Sequence, residues 1–507
     1  MPAKRSAKEL KKLKTGIAGF DQISNGGLPH NRSTLLTGTA GSGKTILALQ
    51  FLFSGVNNYN ENGVFVTFEE TPKDLMMNVR SFGWDLEGLV EDKRVAVVDA
   101  TPTPGEETVT AGAYDLSALL ARIESAVRSV GAKRVILDAV GNLFSQFTDS
   151  SLVRRELHRI ASGLRALKVT TLITMERTDE DGPIARFGVE EFVADNVLIL
   201  RNRLEQESRR RTIEILKFRG ATHQKGEYPF TVDAEDGITI LPLSAIELVQ
   251  RSSEKRISSG MPELDRMCGG GMFRDSIILV SGATGTGKTL TATHYIKAAI
   301  DAGERAILFG AEESREQLSR NAAAWGVDFE RAEKNGLLRL ICRYPEEMGL
   351  EDHLLRMRRD INDFQPSRIA VDSMSAFERS AGRKSFREFV IALTGDIKHR
   401  EITGLFTSTS PMFMGRESIT ETHISTITDT IILLRYVELH GEMRRGLTVL
   451  KMRGTWHEKD IREYVVGENG MEIREPFRGV HGILTGTPSY MFSREVENLG
   501  DMFSSDS

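Results

Sequence analysis

The chain has 507 residues, 40% of them apolar and 27% charged, with a formal net charge of −5. That size and balance suit two globular domains of roughly 250 residues each. The acidic charge gives no electrostatic reason for tight nucleic-acid binding, and no apolar run approaches the roughly 18 residues that cross a membrane. Cys268 and Cys342 are far apart and lack metal-ligand spacing, which fits a reducing, cytoplasmic compartment.

In chain order, residues 1–14 form a basic arm (Lys4, Arg5, Lys8, Lys11, Lys12, Lys14) without a signal-peptide core, expected to be solvated. A first lobe, 15–249, opens on the apolar run STLLTG and the loop Gly38-Thr39-Ala40-Gly41-Ser42-Gly43-Lys44-Thr45. GVFVTFEE follows and ends on Glu69-Glu70, then RVILDAV with Asp138, then VTTLITME, and finally Lys217-Phe218-Arg219-Gly220. The polar stretch 250–259 reads as a linker.

The second lobe, 260–488, repeats this order. SIILVSG leads into Gly282-Ala283-Thr284-Gly285-Thr286-Gly287-Lys288-Thr289, and RAILFGAEE carries Glu312-Glu313. RIAVDSM carries Asp372, ITGLFTSTS follows, and Lys451-Met452-Arg453-Gly454 comes late. The offset between halves is 244 at Lys44 and Lys288, and 234 at Asp138 and Asp372. The chain is therefore a duplication with small gaps. Residues 489–507 form a polar, acidic tail. Strands alternating with helical segments predict α/β domains, each a mostly parallel sheet with flanking helices.

Both glycine loops fit G-x-x-x-x-G-K-[ST] after a strand and before a helix. Their backbone N–H groups can wrap a phosphate chain, helped by the helix N-terminus. Lys44 and Lys288 are expected at the outer phosphates of ATP, and Thr45 and Thr289 at Mg²⁺. Asp138 and Asp372, at strand ends, can hold that metal through water. The strand-end pairs Glu69-Glu70 and Glu312-Glu313 can orient or deprotonate an attacking nucleophile. Phosphoryl transfer also needs cations beyond the loop lysine, often from a neighbouring subunit. Lys217/Arg219 and Lys451/Arg453 suit that role in a closed ring.

The halves differ before Asp195 and Asp429. The first reads Gly188-Val189-Glu190-Glu191-Phe192-Val193-Ala194, and the second Thr422-His423-Ile424-Ser425-Thr426-Ile427-Thr428. Ser425 thus stands opposite Glu191, and Thr426 opposite Phe192. A hydroxyl there can accept a phosphoryl group, giving an anion of up to about −2, or simply hydrogen-bond locally. Arg379 is private to the second lobe, where the first has Ser145.

From about Lys14 to Pro488 the chain resembles the KaiC family of clock ATPases and autokinases. The resemblance rests on FVTFEETP, SFGWDL, KGEYPFT, GATGTGKT, AILFGAEESREQL, SITETHISTITDTIILL and KMRGTWH. It implies tandem RecA-like P-loop domains in a double-ring homohexamer with ATP between subunits. It further implies slow hydrolysis in the first lobe and reversible self-phosphorylation in the second. By the same resemblance, the phosphorylated pair falls on Ser425 and Thr426, with Thr420 nearby. Glu312 becomes the kinase base and a metal-site residue beside Glu313, and Glu69 and Glu70 the hydrolytic pair. Lys217, Arg219 and His223 bridge subunits in one ring, and Arg379, Arg445, Lys451, Arg453 and Trp456 in the other. Trp325 falls near the adenine. Ala113-Tyr114-Asp115-Leu116 resembles the family's KaiB-contacting stretch, which makes a KaiB-like partner plausible. The tail after Pro488 departs from the family's, which leaves a KaiA-like partner doubtful. The competing readings are a RecA-like nucleic-acid motor, disfavoured by the acidic charge, and a nucleotide-gated scaffold.

Overall fold

The structure, a computed structural model, describes residues 10–101, 116–144, 150–184, 193–205, 208–242, 253–409, 424–439, 441–468, 470–478, 480–481, 483 and 489–490. The chain divides into two compact units, Met1–Ile246 and Glu247–Ser507. Among the described residues no helix is long and apolar enough to cross a membrane.

The first unit is built on β1 (Ser33–Gly38), β2 (Gly63–Thr67), β3 (Val95–Asp99), β4 (Arg134–Asp138), β5 (Thr170–Glu176), β6 (Asn196–Glu205), β7 (Ser208–Phe218), β8 (Glu227–Asp233) and β9 (Gly237–Ile240). They form one sheet in the order β9-β8-β7-β6-β1-β5-β4-β2-β3. The pairings from β3 to β6 are parallel, and β6 to β9 run antiparallel. The second unit uses β10 (Ile277–Gly282), β11 (Ala306–Gly310), β12 (Leu338–Cys342), β13 (Arg368–Asp372), β14 (Thr403–Thr409), β15 (Thr430–Leu439), β16 (Glu442–Met452), β17 (Arg462–Gly467) and β18 (Gly470–Pro476). Its order, β12-β11-β13-β14-β10-β15-β16-β17-β18, is the same once repeat counterparts are matched. The duplication and the mostly parallel α/β architecture expected from the sequence are both present.

The parallel strands have apolar centres because they are covered on both faces. Leu36, Phe65, Ile136 and Leu172 pack into one core, while their neighbours Leu35, Val64, Val66, Val135, Leu137 and Ile173 pack into another. This is the period of two that a strand imposes. The helices α1 (Lys44–Tyr59) and α2 (Lys288–Asp301) follow β1 and β10 directly.

Two expected boundaries shift. The last residues of the supposed solvated arm form a strand, Lys12–Leu13, paired with Leu28–Pro29. Leu13 is buried, and Lys12 Nζ donates to the carbonyls of Ser24 and Thr222 at 2.6 and 2.8 Å. The supposed linker likewise contains the strand Arg256–Ile257, paired with Met272–Phe273. Apolar Leu13 and Ile257 at matching repeat positions anchor both segments.

A buried arginine at the start of β4 and of β13 ties each unit together. Arg134, with 0% of its surface exposed, pairs with Glu61 at 2.7 Å. It also donates to the carbonyls of Lys14 and Phe51 and lies 4.5 Å from the Phe51 ring centroid. Arg368 repeats this with Glu304 at 2.6 Å and the Ser258 carbonyl at 2.7 Å.

Candidate active sites

Each glycine loop joins the C-terminal end of a central strand to a helix. Gly43 and Gly287, both with φ near 94°, cap α1 and α2 in the left-handed region where a side chain is strained. A Cβ on Gly38 would lie 2.5 Å from Ser42 Oγ, and one on Gly282 would lie 2.5 Å from the Leu434 carbonyl. Lys44 Nζ donates to the loop carbonyls of Gly38 and Thr39 at 2.9 and 2.8 Å, and Lys288 Nζ to Ala283 at 3.0 Å. Burial lowers the pKa of both ammonium groups, opposed by nearby carboxylates. Carbonyls satisfy their N–H donors but not their charge, so each loop fits a phosphate chain. Thr284 and Gly285 are exposed along the second loop, as is Gly41 along the first.

At the foot of each loop a hydroxyl meets a carboxylate. Thr45 Oγ1 donates to Asp138 Oδ2 at 2.9 Å, and Thr289 Oγ1 to Asp372 Oδ2 at 2.6 Å. Thr174 and Thr407 donate to the other oxygens of these aspartates. Burial pushes both carboxyls above the usual carboxylate range, and the hydroxyl donors partly offset that. The peptide bond after each aspartate is cis. A loop hydroxyl beside a strand-end carboxylate is a donor set that suits Mg²⁺ with a nucleotide.

The acid pairs differ between units. Glu69 is exposed, and Glu70 accepts from Asn78 at 3.2 Å. In the second unit Glu312 accepts from Ser373 Oγ at 3.0 Å and forms an ion pair with Arg379. Glu313 accepts from Asn321 at 3.0 Å. Its carboxyl is pushed up by burial and by the adjacent Asp372 and Glu312. A carboxylate with raised proton affinity is the better general base. The first loop has its own clamp, in which Thr39 donates to Glu180, which also accepts from the Asn202 N–H at 3.1 Å.

Most of the late basic residues do not join these clusters. Gly38, which opens the phosphate loop, pairs with Leu200 on β6, whereas Lys217 pairs with Val197 near that strand's start. Lys217 Nζ donates to the Ala194 carbonyl at 3.0 Å, and Arg219 lies 3.8 Å from Asp195. The second unit repeats the arrangement. Gly282 pairs with Leu434, whereas Lys451 pairs with Ile431. Lys451 Nζ donates to the carbonyls of Ser425 and Thr428 at 2.9 and 2.7 Å, and Arg453 to that of Thr426 at 2.9 Å. Ser425 is buried and Thr426 exposed on a short helical turn, Ile424–Ile427. Hydroxyls and cations thus share the sheet edge opposite their own phosphate loop. Ile278 to Gly282 alone spans about 13 Å of strand.

The other residues implied by resemblance are dispersed. Arg445 pairs with Tyr436 beyond Leu434, at the phosphate-loop edge, with its guanidinium 5.6 Å from the Tyr436 ring centroid. His223 packs edge-on to Phe218 at 5.4 Å. Trp325 is half-buried at the end of the helix Arg315–Ala324, and Trp456 is exposed. Ala113, Tyr114, Asp115, Ser145, residues 185–192, Thr420, Thr422, His423 and the tail from 491 lie outside the described residues. Sequence reasoning passed over Glu180, Asn321, Ser373 and Tyr464. Tyr464 donates to the Thr286 carbonyl of the second loop. Tyr464 carries no sequence signal of its own, because its place opposite Phe230 follows from the strand registers.

Glycine loop, lysine, hydroxyl–aspartate pair and strand-end acids gather at the C-terminal edge of a parallel sheet. They define a P-loop ATPase of RecA-like architecture, carried twice in one chain. The chain belongs to the KaiC ATPase family, whose model matches residues 13–245 and 257–477. It is 60% identical over 494 residues to "Circadian clock protein KaiC3" of Synechocystis sp., covering 97% of this chain and 98% of the relative. It is 57% identical over 498 residues to "Circadian clock oscillator protein KaiC" of Thermostichus vulcanus, covering 98% and 96%. It is 56% identical over 491 residues to the protein of that name from Synechococcus elongatus, covering 97% and 94%.

Proposed function

We propose that this protein is an ATP hydrolase and Ser/Thr autokinase–autophosphatase that serves as a phosphorylation-state timer. It works as a double-ring homohexamer with nucleotide between subunits. The observation that carries this reading is the placement of Ser425, Thr426, Lys451 and Arg453 at the edge opposite their own loop. Groups suited to the transferring phosphate cannot serve the nucleotide of their own unit, so a second copy completes the site.

In the second unit the loop and Lys288 hold ATP, and a neighbouring subunit presents Thr426 or Ser425. The hydroxyl oxygen forms a bond to the γ-phosphorus as the bond to the ADP oxygen breaks, and Glu312, aided by Glu313, takes the hydroxyl proton. Mg²⁺, held by Thr289 with Asp372 and Glu312 close by, and in the first unit by Thr45 with Asp138, would neutralise phosphate charge. In the first unit Glu69 and Glu70 orient water instead, so turnover there is hydrolysis. Lys217, Arg219 and His223 in one ring, and Lys451, Arg453 and Trp456 in the other, complete the bridging contacts, whereas Arg379, paired with Glu312, and Arg445 stand on the loop side of their own unit. A KaiB-like protein is the expected partner.

Lys44→Ala and Lys288→Ala separate the two activities. Phosphate release should fall mainly in Lys44→Ala, and phosphorylation of Ser425 and Thr426 should be lost in Lys288→Ala. If neither change alters turnover, the chain is a scaffold rather than an enzyme.

A further inference from the structure

The two phosphate loops have nearly the same sequence but are held differently from behind. On β17, Tyr464 is buried, and its hydroxyl donates to the Thr286 carbonyl at 2.5 Å. Thr286 immediately precedes Gly287, the glycine that turns the loop into α2. In the first unit the same place is taken by Phe230 of β8. The strand registers establish the match. Tyr228 pairs with Ile213, and Arg462 pairs with Leu447, the repeat counterpart of Ile213. The Phe230 ring lies against the first loop, 3.8 Å from where a Cβ on Gly43 would stand, but it has no hydroxyl to offer.

A peptide unit is planar, and in the trans form its C=O and N–H point in opposite directions. Holding the Thr286 carbonyl toward β17 therefore turns the Gly287 N–H away from β17. That N–H is one of the donors a phosphate would meet. A donor oriented before the ligand arrives costs less to order on binding.

We infer that Tyr464 is a positioning residue that sets the second phosphate loop in its nucleotide-binding form, and that the first loop, backed by Phe230, lacks this fixation. The inference rests on the reading of the second loop as a nucleotide site. It makes the two sites unequal in affinity through a hydroxyl that touches no nucleotide. Burial raises the Tyr464 phenol well above its ordinary pKa, so it remains a donor throughout the physiological range.

The test is titration of the full-length protein with a fluorescent ADP analogue and Mg²⁺. A Lys44→Ala background reports the second loop, and a Lys288→Ala background reports the first. Tyr464→Phe should weaken binding about three- to tenfold in the first background, the range expected for one hydrogen bond, and should not change it in the second. The reciprocal Phe230→Tyr supplies a hydroxyl to the first loop and should tighten binding there by a few-fold. It also keeps the inference open to refutation if Tyr464→Phe folds poorly. A purely structural role would lower thermal stability and leave the affinity of each site in place. Unchanged affinity in both substitutions overturns the inference. If Lys44→Ala with Tyr464 intact binds no analogue while Lys288→Ala binds it, the nucleotide reading of the second loop fails, and the inference fails with it.

Discussion

Two variants that are each silent should restore one another if the phosphoryl group passes between subunits. The first is Glu312→Gln with Glu313→Gln, which keeps the hydroxyls and removes the proposed base. The second is Ser425→Ala with Thr426→Ala, which keeps the base and removes the hydroxyls. Within one unit the hydroxyls lie beyond the start of β15, and the loop follows the end of β10. The paired strands between them rise about 13 Å, whereas attack requires the reacting atoms within about 3.5 Å. Transfer inside the unit is out of range. In a ring assembled at random from equal amounts, half of the acceptor-bearing chains face a working loop, so about a quarter of all chains should be phosphorylated. The assay is co-assembly, confirmation of mixed rings by native mass spectrometry, and phosphopeptide quantitation after Mg-ATP. A mixture as silent as its parents, in proven mixed rings, would refute the reasoning.

Two further outcomes follow from the geometry. Arg134→Met leaves the Glu61 carboxylate and the Lys14 and Phe51 carbonyls without their partner in the interior, so urea unfolding of that unit should show a loss of about 3–5 kcal/mol; a loss under about 1 kcal/mol would contradict the role given to it. His294 on α2 accepts the Met471 N–H of β18 at 3.1 Å, where the first unit uses Gln50 for the Ile238 N–H at 2.7 Å. Burial, and secondarily Lys297, lowers the pKa of His294 from its ordinary 6.5. Its contribution is therefore complete above the unfolded value and is lost as pH falls through 6.5 toward the lower folded value. His294→Gln should flatten the acid side of the second unit's stability profile, and an unchanged profile would rule this out.

What was legible in the sequence was whatever is contiguous. A phosphate loop is eight consecutive residues between a strand and a helix, so the sequence alone places Lys44, Thr45, Lys288 and Thr289. Asp138 and Asp372 were nearly as accessible, because an acid that ends an apolar parallel strand in both repeats stands at the edge where the loop hydroxyl sits. The edge on which Lys217 and Lys451 stand was not legible, since it depends on which residues of β6 and β15 face the central strand. Nor was the ordered end of the arm, where two residues, Lys12–Leu13, make too short a run to show periodicity. Arg134 and Arg368 do not stand out in the sequence, because a charge at a strand start ordinarily signals solvent. Only their shared offset hinted at a duplicated buried ion pair. The exchanges of Gln50 for His294 and Phe230 for Tyr464 look neutral in a string of letters and acquire meaning only against the backbone groups they contact.

The central claim is that two similar loops serve different nucleophiles, water in the first unit and a side-chain hydroxyl in the second. Incubating the assembled protein with γ-labelled ATP and Mg²⁺, then mapping the label by mass spectrometry while counting released phosphate, tests it most directly. Label on Ser425 and Thr426, abolished by Lys288→Ala but retained in part when Glu69 and Glu70 are both changed to Gln, is the predicted result. Hydrolysis with no label on either residue would contradict it.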